Sequence, residues 1–311
     1  MKLRNSGQRY RKTVNTRDYD LVKPLVSSAN VTLNLNGYSI YNTADIWDDN
    51  NWSLITVKSG TLTINGEGEL LAKANDCFAV DVQNGANLVI NGGTYVGNIH
   101  AVYVHTGTLT VNGGTYGVQQ KYSQAHPDDY VLNCYDASRK AGTASIEVKG
   151  GSYAGFNPAD CYAEGEGTNF VADGYVVVAN GNNYSVVKGV AAVGTTNYAT
   201  IEEAIASGNE IKLLDDVNLT AEIVVDKAIT IDMNGHTITS AANAAAFKVM
   251  GGELTLTGSG KVTGNNSVYK TIYFMGSTNQ GDVNYSVLNV GEDVEVESAN
   301  GYAIMVSANG K

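Results

Sequence analysis

Apolar and polar residues alternate in short runs along most of this chain. In TLTVNGGTYG, at 108–117, Leu109 and Val111 alternate with threonines, so one face of the run is apolar and the other is polar. The Asn-Gly-Gly that follows favours a turn, because asparagine and glycine accept positive φ at low cost. The pattern predicts short β-strands separated by tight turns.

The same ten-residue pattern recurs along the first half of the chain. Related segments are LVINGGTYVG at 88–97, IEVKGGSYAG at 146–155 and LTINGEGELL at 62–71. The glycines that follow the first three strands of this kind are 26 and then 21 residues apart, a spacing typical of stacked repeats that share one core. The consensus of leucine-rich repeats is missing, as is the pattern of a phosphate-binding loop. We therefore predict an all-β parallel β-helix, a solenoid whose glycines turn the corners.

A longer duplication overlies the short repeat. The paired segments are 20–40 with 218–238, 57–70 with 249–262, and 100–109 with 301–310. This duplication predicts two tandem β-helix units, at 20–188 and 189–311, preceded by a basic N-terminal docking arm at 1–19. Because the first-unit sequence continues with another strand where the second unit stops, we expect the second unit to be incomplete at its C-terminus.

Two further elements are expected between the units. Residues 170–189 have the pattern of a linking β-hairpin with Asn180-Gly181 at its turn. The stretch TIEEAIASG begins at Thr200 and predicts one short helix, which Thr200 and Glu203 would start with a capping box and the final glycine would end. A helix over the open end of a solenoid would shield its core and strand edges.

Charge is distributed unevenly. The net charge is −11, yet residues 1–17 hold six basic residues and no acidic one, so the rest of the chain has 14 basic and 31 acidic residues, or −17. An acidic body repels nucleic acid, whereas arginine pairs well with carboxylates of a protein surface. We therefore expect a protein partner and no nucleic acid. The residues expected to dock are Lys2, Arg4, Arg9, Tyr10, Arg11, Lys12 and Arg17.

The sequence also lacks targeting signals and the cysteine spacing of a metal site. No apolar run approaches the roughly 18 residues of a membrane span, and the N-terminus lacks the apolar region of a secretory signal. We expect neither membrane insertion nor secretion. The three cysteines are odd in number and lack CxxC spacing, which predicts buried free thiols rather than disulfides or a zinc site.

The residues at 198–238, YATIEEAIASGNEIKLLDDVNLTAEIVVDKAITIDMNGHTI, resemble the repeat unit of right-handed parallel β-helices of the pectate-lyase-like class. Such units occur in surface and virion proteins of gut bacteria and their phages, and the hairpin at 170–188 is similar to linkers in the same proteins. The resemblance covers 20–311, and it alone supplies the handedness. An arm-bearing chain without a signal looks most like a phage head fibre or capsid decoration protein. This resemblance implies a structural protein on the virion surface, made in the host cytoplasm, anchored to a capsid or other virion protein, with a trimer as the expected homo-oligomer.

Enzymes of this fold class imply acidic clusters with a nearby catalytic Arg or Lys. The body of this chain keeps one arginine, Arg139, and no such cluster is readable. His236 is expected to flank a turn, because the first copy has Tyr38 at the same place. His100 and His105 are expected to point to opposite faces of a strand, which makes a shared metal improbable. We therefore expect a non-enzymatic protein without catalytic residues, metal or cofactor.

One stretch nevertheless has the composition of a sugar contact. Residues 44–52, ADIWDDNNW, hold both tryptophans, and an aromatic ring with flanking carboxylates and amides can stack on a sugar and bind its hydroxyls. The residues expected at a cell-surface glycan are Trp47, Asp48, Asp49 and Trp52. Packing of this loop, or an oligomer contact, is the competing and favoured interpretation.

Two alternative functions remain open. A carbohydrate-active or carbohydrate-binding β-helix, such as a tailspike-like depolymerase, would use this loop and the insertion at 118–145, which contains His126, Asp128 and Asp129. That alternative predicts that the acidic residues of both loops converge with Trp47 in one groove. A bacterial surface adhesin is the third interpretation, and it requires an export signal.

Overall fold

The computed structural model describes residues 11–46, 52–75, 77–121, 129–165, 167–265, 269–275 and 286–307. Over these ranges the protein is all-β in character, with several parallel sheets and few helical residues. The chain divides into two compact units, unit 1 at Met1–Lys188 and unit 2 at Gly189–Lys311.

In its described residues, unit 1 consists of short strands with one helix and one 3₁₀ turn. Its elements are β1 (Arg11–Val14), β2 (Tyr19–Asp20), β3 (Leu25–Ser27), β4 (Val31–Asn34), β5 (Ser39–Tyr41), β6 (Ser53–Val57), β7 (Thr61–Asn65), β8 (Glu69–Leu71), β9 (Phe78–Val82), β10 (Ala86–Ile90), β11 (Thr94–Gly97), β12 (Val102–Val104), β13 (Gly107–Val111), β14 (Thr115–Val118), β15 (Leu132–Cys134), α1 (Asp136–Lys140), β16 (Ala144–Val148), β17 (Ser152–Ala154), the 3₁₀ turn (Tyr162–Glu164), β18 (Tyr175–Asn180) and β19 (Asn183–Lys188).

These strands form three sheets, which we call S1, S2 and S3. Their strand orders are β1-β4-β7-β10-β13-β16 in S1, β18-β19-β17-β14-β11-β8-β5-β2 in S2, and β15-β12-β9-β6-β3 in S3. Up to β17 the consecutive strands enter the sheets in rotation, so each strand pairs in parallel with the strand three places along. Repeats of the sequence therefore lie directly beside one another.

The recurring ten-residue pattern sets the register of S1. Leu62, Leu88, Leu109 and Ile146 are cross-strand partners and are all buried. The asparagine that ends or directly follows each of four strands is also in register. Asn65 Nδ2 donates to Asn34 Oδ1 at 3.2 Å, and this amide ladder continues through Asn91 and Asn112 at 2.7 Å per step.

The Gly-Gly-Thr-Tyr part of the pattern both forms the turn and supplies a core side chain. Its second glycine has positive φ, +105° at Gly114, and a Cβ there would lie 2.8 Å from the carbonyl oxygen of Gly93. Tyr116, after the turn, points into the core and donates its hydroxyl to the Gly113 carbonyl at 2.7 Å. The glycine is required by both backbone conformation and close stacking, and the tyrosine closes the turn from inside.

Three such tyrosines stack on one another. Tyr95, Tyr116 and Tyr153 are at most 1% exposed, with ring centroids 5.2 and 5.1 Å apart and planes within 11° of parallel. Each hydroxyl donates to the carbonyl of the first glycine of its own GG pair, Gly92, Gly113 or Gly150. The column fills the core behind S2, and no hydroxyl in it is left unbonded.

Two expectations about unit 1 need correction. The first strand, β1, pairs with β4 in register from Arg11↔Val31 to Val14↔Asn34, and Arg17 lies over the Tyr19 ring at 5.4 Å. The alternation of the first repeat therefore begins inside the predicted arm of 1–19, whose residues 1–10 lie outside the described residues. The hairpin is present as β18 and β19, but its turn is Gly181-Asn182, because Asn180 pairs with Asn183.

Unit 2 follows the same plan. Its elements are β20 (Ala191–Val193), β21 (Thr196–Tyr198), α2 (Ile201–Ser207), β22 (Glu210–Leu213), β23 (Val217–Asn218), β24 (Ile223–Val225), β25 (Ala228–Asp232), β26 (Thr237–Thr239), β27 (Phe247–Met250), β28 (Glu253–Thr257), β29 (Gly260–Gly264), β30 (Lys270–Met275), β31 (Val287–Val290), β32 (Val294–Ser298) and β33 (Tyr302–Val306). The sheets are S4 (β21-β20-β22-β25-β28-β31), S5 (β23-β26-β29-β32) and S6 (β24-β27-β30-β33).

The predicted helix is confirmed as α2. Thr200 accepts from the Glu203 N–H, and the Glu203 carboxylate accepts from the Thr200 N–H, which completes the capping box. The helix ends before Gly208, which has extended φ. Glycine is needed there because a Cβ would lie 2.6 Å from the Val193 side chain.

The duplication holds element by element, with one slip. Strand β3 corresponds to β24 at an offset of 198 residues, and β6 corresponds to β27 at an offset of 192. In the last segment, however, Val102 pairs with Val80 as Ile304 pairs with Ile272. The true offset there is 202, whereas the alignment of 100–109 with 301–310 implies 201. The alignment was therefore wrong by one residue, which moves every side chain to the other face.

Candidate functional site

The outward face of S3 carries the most distinctive side chains of unit 1. One row crosses four strands, since Thr56 pairs with Asp81, Asp81 with Tyr103 and Tyr103 with Asn133. Neighbouring strands are about 4.8 Å apart, so the row is about 14 Å long. Thr56, at its β6 end, is fully buried, and Trp52 and Lys58 on either side of β6 line the surface there. We call this surface the S3 groove.

Two adjacent cavities make up the groove. One has a volume of about 540 Å³ and the other about 640 Å³. They share His100 and Tyr103, which makes them two parts of one depression. The first is otherwise lined by Ile99, Gln120, Tyr130, Asn133, Cys134, Tyr135, Asp136 and Glu164. The second is otherwise lined by Trp52, Lys58, Phe78, Asp81, Gln83, Asn84 and His105.

Aromatic rings form the floor. His100 stacks on Tyr103 with centroids 5.2 Å apart, and Phe78 packs against both at 4.8 and 5.3 Å. His105 stacks on Tyr135 at 4.8 Å. Burial lowers the pKa of His100 to about 4, partly offset by a contact of 2.9 Å between Nδ1 and the Tyr130 carbonyl oxygen. His100 is therefore a neutral ring at physiological pH.

Asp81 is the central carboxyl of the groove. It is 4% exposed; Oδ2 accepts from Gln83 Nε2 at 2.5 Å, and Oδ1 has no hydrogen-bond partner. Burial raises its pKa to about 6, although the Gln83 contact, the charge of Lys58 and the backbone N–H of Val82 oppose the shift. An unpaired buried acceptor is costly, so this carboxyl is poised to accept a donor from outside.

Glu164 lies at the far end of the first cavity. Its Oε1 accepts from the Cys134 N–H at 2.7 Å, and its Oε2 is 3.4 Å from Arg139 Nε. Burial raises its pKa to about 7, against the opposing effects of that N–H and of Arg139. The guanidinium of Arg139 also donates to the Glu164 carbonyl at 2.7 Å. Arg139 therefore has a positioning role that its isolation in the sequence did not reveal.

The predicted sugar-contact residues are only partly described. Trp52 lines the groove and is 47% exposed, whereas Trp47, Asp48 and Asp49 lie outside the described residues. Asp129, from the second predicted loop, is 9% exposed and pairs with Lys121.

The second loop reaches the groove through its flanks. Asp128 and His126 lie outside the described residues. Within the predicted insertion at 118–145, Gln120, Tyr130 and residues 133–136 line the first cavity. Described residues of both predicted loops thus lie at one surface, whereas Asp129 is not among the residues that line it.

The expectation for His100 and His105 was wrong. Both rings lie beside Tyr103 and line the same cavity. The regular strand β12 covers only Val102–Val104, so His100 lies before the strand and alternation does not extend to it. His236 lies after the turn of Asn234 and Gly235, with Nδ1 3.5 Å from Asp216 Oδ1.

The docking residues divide into two groups. Lys2, Arg4, Arg9 and Tyr10 lie outside the described residues. Arg11 and Lys12 belong to β1, and Arg17 contacts Tyr19. The three cysteines are free and buried, as predicted.

Sequence reasoning missed Asp81, Tyr103 and Glu164. Asp81 stands in FAVDV and Tyr103 in AVYV, where a single polar or aromatic residue between valines marks the outward face of a strand. That signal was available. The pairing of these strands was not, because it depends on repeat lengths of 22 and then 30 residues between Val80, Val102 and Leu132.

The corresponding face of unit 2 has different residues. At the offsets given above, Thr56, Asp81 and Tyr103 correspond to Lys248, Tyr273 and Met305, which are also cross-strand neighbours. The same scaffold therefore forms without the carboxyl. The residues of the S3 groove are not dictated by the fold.

No protein-family model, curated protein or solved structure proved significantly similar to the chain. Among the residues that the structure describes, no three His, Cys, Asp or Glu side chains are grouped so that they could hold a metal. Over the same ranges, none of the helices has the length and apolar character that crossing a membrane would take.

Proposed function

We propose that each unit is a right-handed parallel β-helix and that the chain is a non-enzymatic structural protein of a virion. In this proposal the basic N-terminal segment anchors the chain to a capsid or other virion protein. The β-helix then displays the S3 groove to a ligand outside the particle.

One observation carries the proposal: the scaffold and the displayed surface are independent. The core is made of in-register columns, such as the Tyr95, Tyr116 and Tyr153 stack, that repeat from strand to strand. Outward residues of S3 are replaced at the corresponding positions of unit 2, where Tyr273 stands for Asp81 and Met305 for Tyr103. A stiff, repetitive support with one variable face is what a display protein needs, and each repeat stabilises its neighbour.

The anchor is supported by charge. Lys2, Arg4 and Arg9 precede the first strand, and the rest of the chain is strongly acidic. Cationic side chains ahead of an acidic body favour an acidic protein partner through bidentate and charge-assisted pairs.

The test is co-sedimentation of the purified full-length chain with virus particles from a culture that produces it. The test variant is K2E/R4E, and the control K23E/K212E makes the same charge change at exposed residues of the two units. We expect the wild type and the control to sediment with the particles and the test variant to stay in solution. Equal sedimentation of all three would refute the anchor, and no sedimentation of any would refute the virion proposal. A crystal structure in which the three sheets of a unit do not enclose one core would refute the β-helix.

A further inference from the structure

We propose that the S3 groove binds a neutral, extended oligosaccharide that lies across strands β6 to β15. This inference rests on the proposed function only in that the scaffold displays the groove. It names the ligand class and the residues that contact it.

Shape gives the first argument. The two cavities share His100 and Tyr103 and follow a row about 14 Å long. A compact metabolite would occupy one cavity. A groove of this length that crosses strands fits a linear chain of several small, similar units, each of which meets about one strand.

The second argument comes from the aromatic rings that form the floor of the groove. Phe78, His100, Tyr103 and Tyr135 supply flat apolar rings, and His100 is uncharged. A pyranose has an apolar C–H face and a rim of hydroxyls. Its face can cover such rings while its rim reaches polar groups at the edge, the combination that aromatic residues with a polar border provide.

The third argument comes from the hydrogen-bonding groups that line the groove. Asp81 Oδ1 is buried and has no partner, so it lacks a donor that a ligand hydroxyl would supply. Asn84, Gln120 and Asn133 line the groove with amides that both donate and accept. Hydroxyl groups, which also donate and accept, match this set.

Charge decides between classes of oligosaccharide. Lys58 faces Asp81, and Arg139 pairs with Glu164, while Asp136 contacts both Arg139 and Lys140. Each acidic group that lines the groove thus has a basic neighbour, so no unpaired charge is offered to a polyanion or a polycation. A neutral chain is the class that remains.

The second unit argues against a purely structural role for Asp81. The corresponding residue, Tyr273, lies in the same scaffold beside Lys248 and Met305. A buried carboxyl with an unpaired oxygen is therefore a property of this face of unit 1 and is not a requirement of the fold.

The first experiment screens the full-length chain against immobilised neutral, acidic and amino-bearing oligosaccharides of two to eight units. Isothermal titration with the best neutral binder then gives its Kd. We expect binding to neutral chains only, with affinity that rises up to about three or four units and then levels off, as a 14 Å row requires.

Two variants test whether the ligand binds in the S3 groove. Asp81→Asn keeps the shape but removes the charged acceptor, and Tyr135→Ala removes a ring that is 45% exposed and so is tolerated by the core. Each should weaken binding by about ten-fold or more. Tyr273→Phe, at the position in unit 2 that corresponds to Asp81, is the matched control and should bind like the wild type.

Three results would overturn the inference: no binding to any neutral chain, preference for charged chains, or wild-type affinity in both Asp81→Asn and Tyr135→Ala. Co-sedimentation with particles by a protein that binds no neutral chain would leave the proposed function intact and remove only this ligand. Glycan binding by a protein that fails to co-sediment would do the reverse.

Discussion

The hydroxyl of Tyr116 gives the sharpest test of how the GGTY pattern stabilises unit 1. Tyr116→Phe keeps the ring in the stack between Tyr95 and Tyr153 and removes only the hydrogen bond of 2.7 Å to the Gly113 carbonyl. The ring is 1% exposed, so water cannot replace the lost donor without opening the core.

The expected cost follows from that burial. A buried hydrogen bond to a backbone carbonyl contributes about 1 kcal/mol net, and a carbonyl left without its donor raises the loss to about 1–2 kcal/mol. For a folding unit of this size, 1 kcal/mol corresponds to roughly 2–4 °C in melting temperature. We therefore expect a decrease of roughly 3–6 °C for the transition of unit 1.

Tryptophan fluorescence isolates that transition. Trp47 and Trp52 are the only tryptophans of the chain, and both belong to unit 1. Urea and thermal unfolding of the full-length chain followed at this signal report on the unit that contains the stack. Tyr41→Phe, at a half-buried residue of β5, is the control and should change the free energy of unfolding by less than about 0.5 kcal/mol.

Energetic coupling between the three stacked tyrosines provides a stricter test than any single change. Residues in contact are not additive, so the triple change to phenylalanine at Tyr95, Tyr116 and Tyr153 should differ from the sum of the single changes. If Tyr116→Phe costs no more than Tyr41→Phe, the hydroxyl does not close the turn. The pattern would then need glycine for its conformation and tyrosine for its ring alone.

Three further predictions concern the glycine corner, the groove carboxyl and the helix cap. Gly114→Ala should lower the free energy of unfolding by about 2 kcal/mol or more, because positive φ and a 2.8 Å approach to backbone combine there; Gly142→Ala, with φ of +71° and no atom within 4 Å, should cost less in the same fluorescence assay. Since burial raises the pKa of Asp81 to about 6 from an ordinary value near 3.8, folding takes up a proton between these values, and stability falls as pH rises from about 4 to 6. Asp81→Asn should remove that share of the pH dependence and raise the free energy of unfolding at pH 7 by up to about 3 kcal/mol; urea midpoints that are unchanged from pH 4 to 7 in both proteins would contradict this. Thr200→Ala should destabilise unit 2 by about 1 kcal/mol through loss of the capping box, measured by calorimetry, whereas an unchanged transition would show that packing alone holds α2.

The all-β character and the repeated strands could be predicted from the sequence because the fold repeats local information. Alternation fixed which residues of β7, β10 and β13 are buried, and the duplication located β24 and β25 from β3 and β4. The helix α2 carried its own start signal. The sequence did not predict which face a side chain takes next to an irregular stretch. The last alignment slipped by one residue, and His100 was assigned to the wrong face. Both errors arise because a residue outside a strand no longer alternates with the residues in it.

The groove was harder to predict for a related reason. Asp81, Tyr103 and Asn133 become neighbours only after the lengths of intervening turns and insertions are known in three dimensions. Tyr116 is a second example: an aromatic residue after Gly-Gly suits either face of a sheet, and positive φ at Gly114 resets the alternation. Local patterns specify a strand, whereas turn geometry specifies which strands share a site.

Stability and binding should therefore move in opposite directions at Asp81. The carboxyl costs the fold more than it contributes: burial raises its pKa despite the Gln83 hydrogen bond, one oxygen is unpaired, and unit 2 forms the same sheet with Tyr273. If Asp81→Asn stabilises the chain and also weakens oligosaccharide binding, the cost of the buried charge is a cost of function, as is common where an active surface is built on a regular scaffold. A variant that is both less stable and unchanged in binding would instead mean that Asp81 supports β9 and β12, and the ligand would have to be sought on another face.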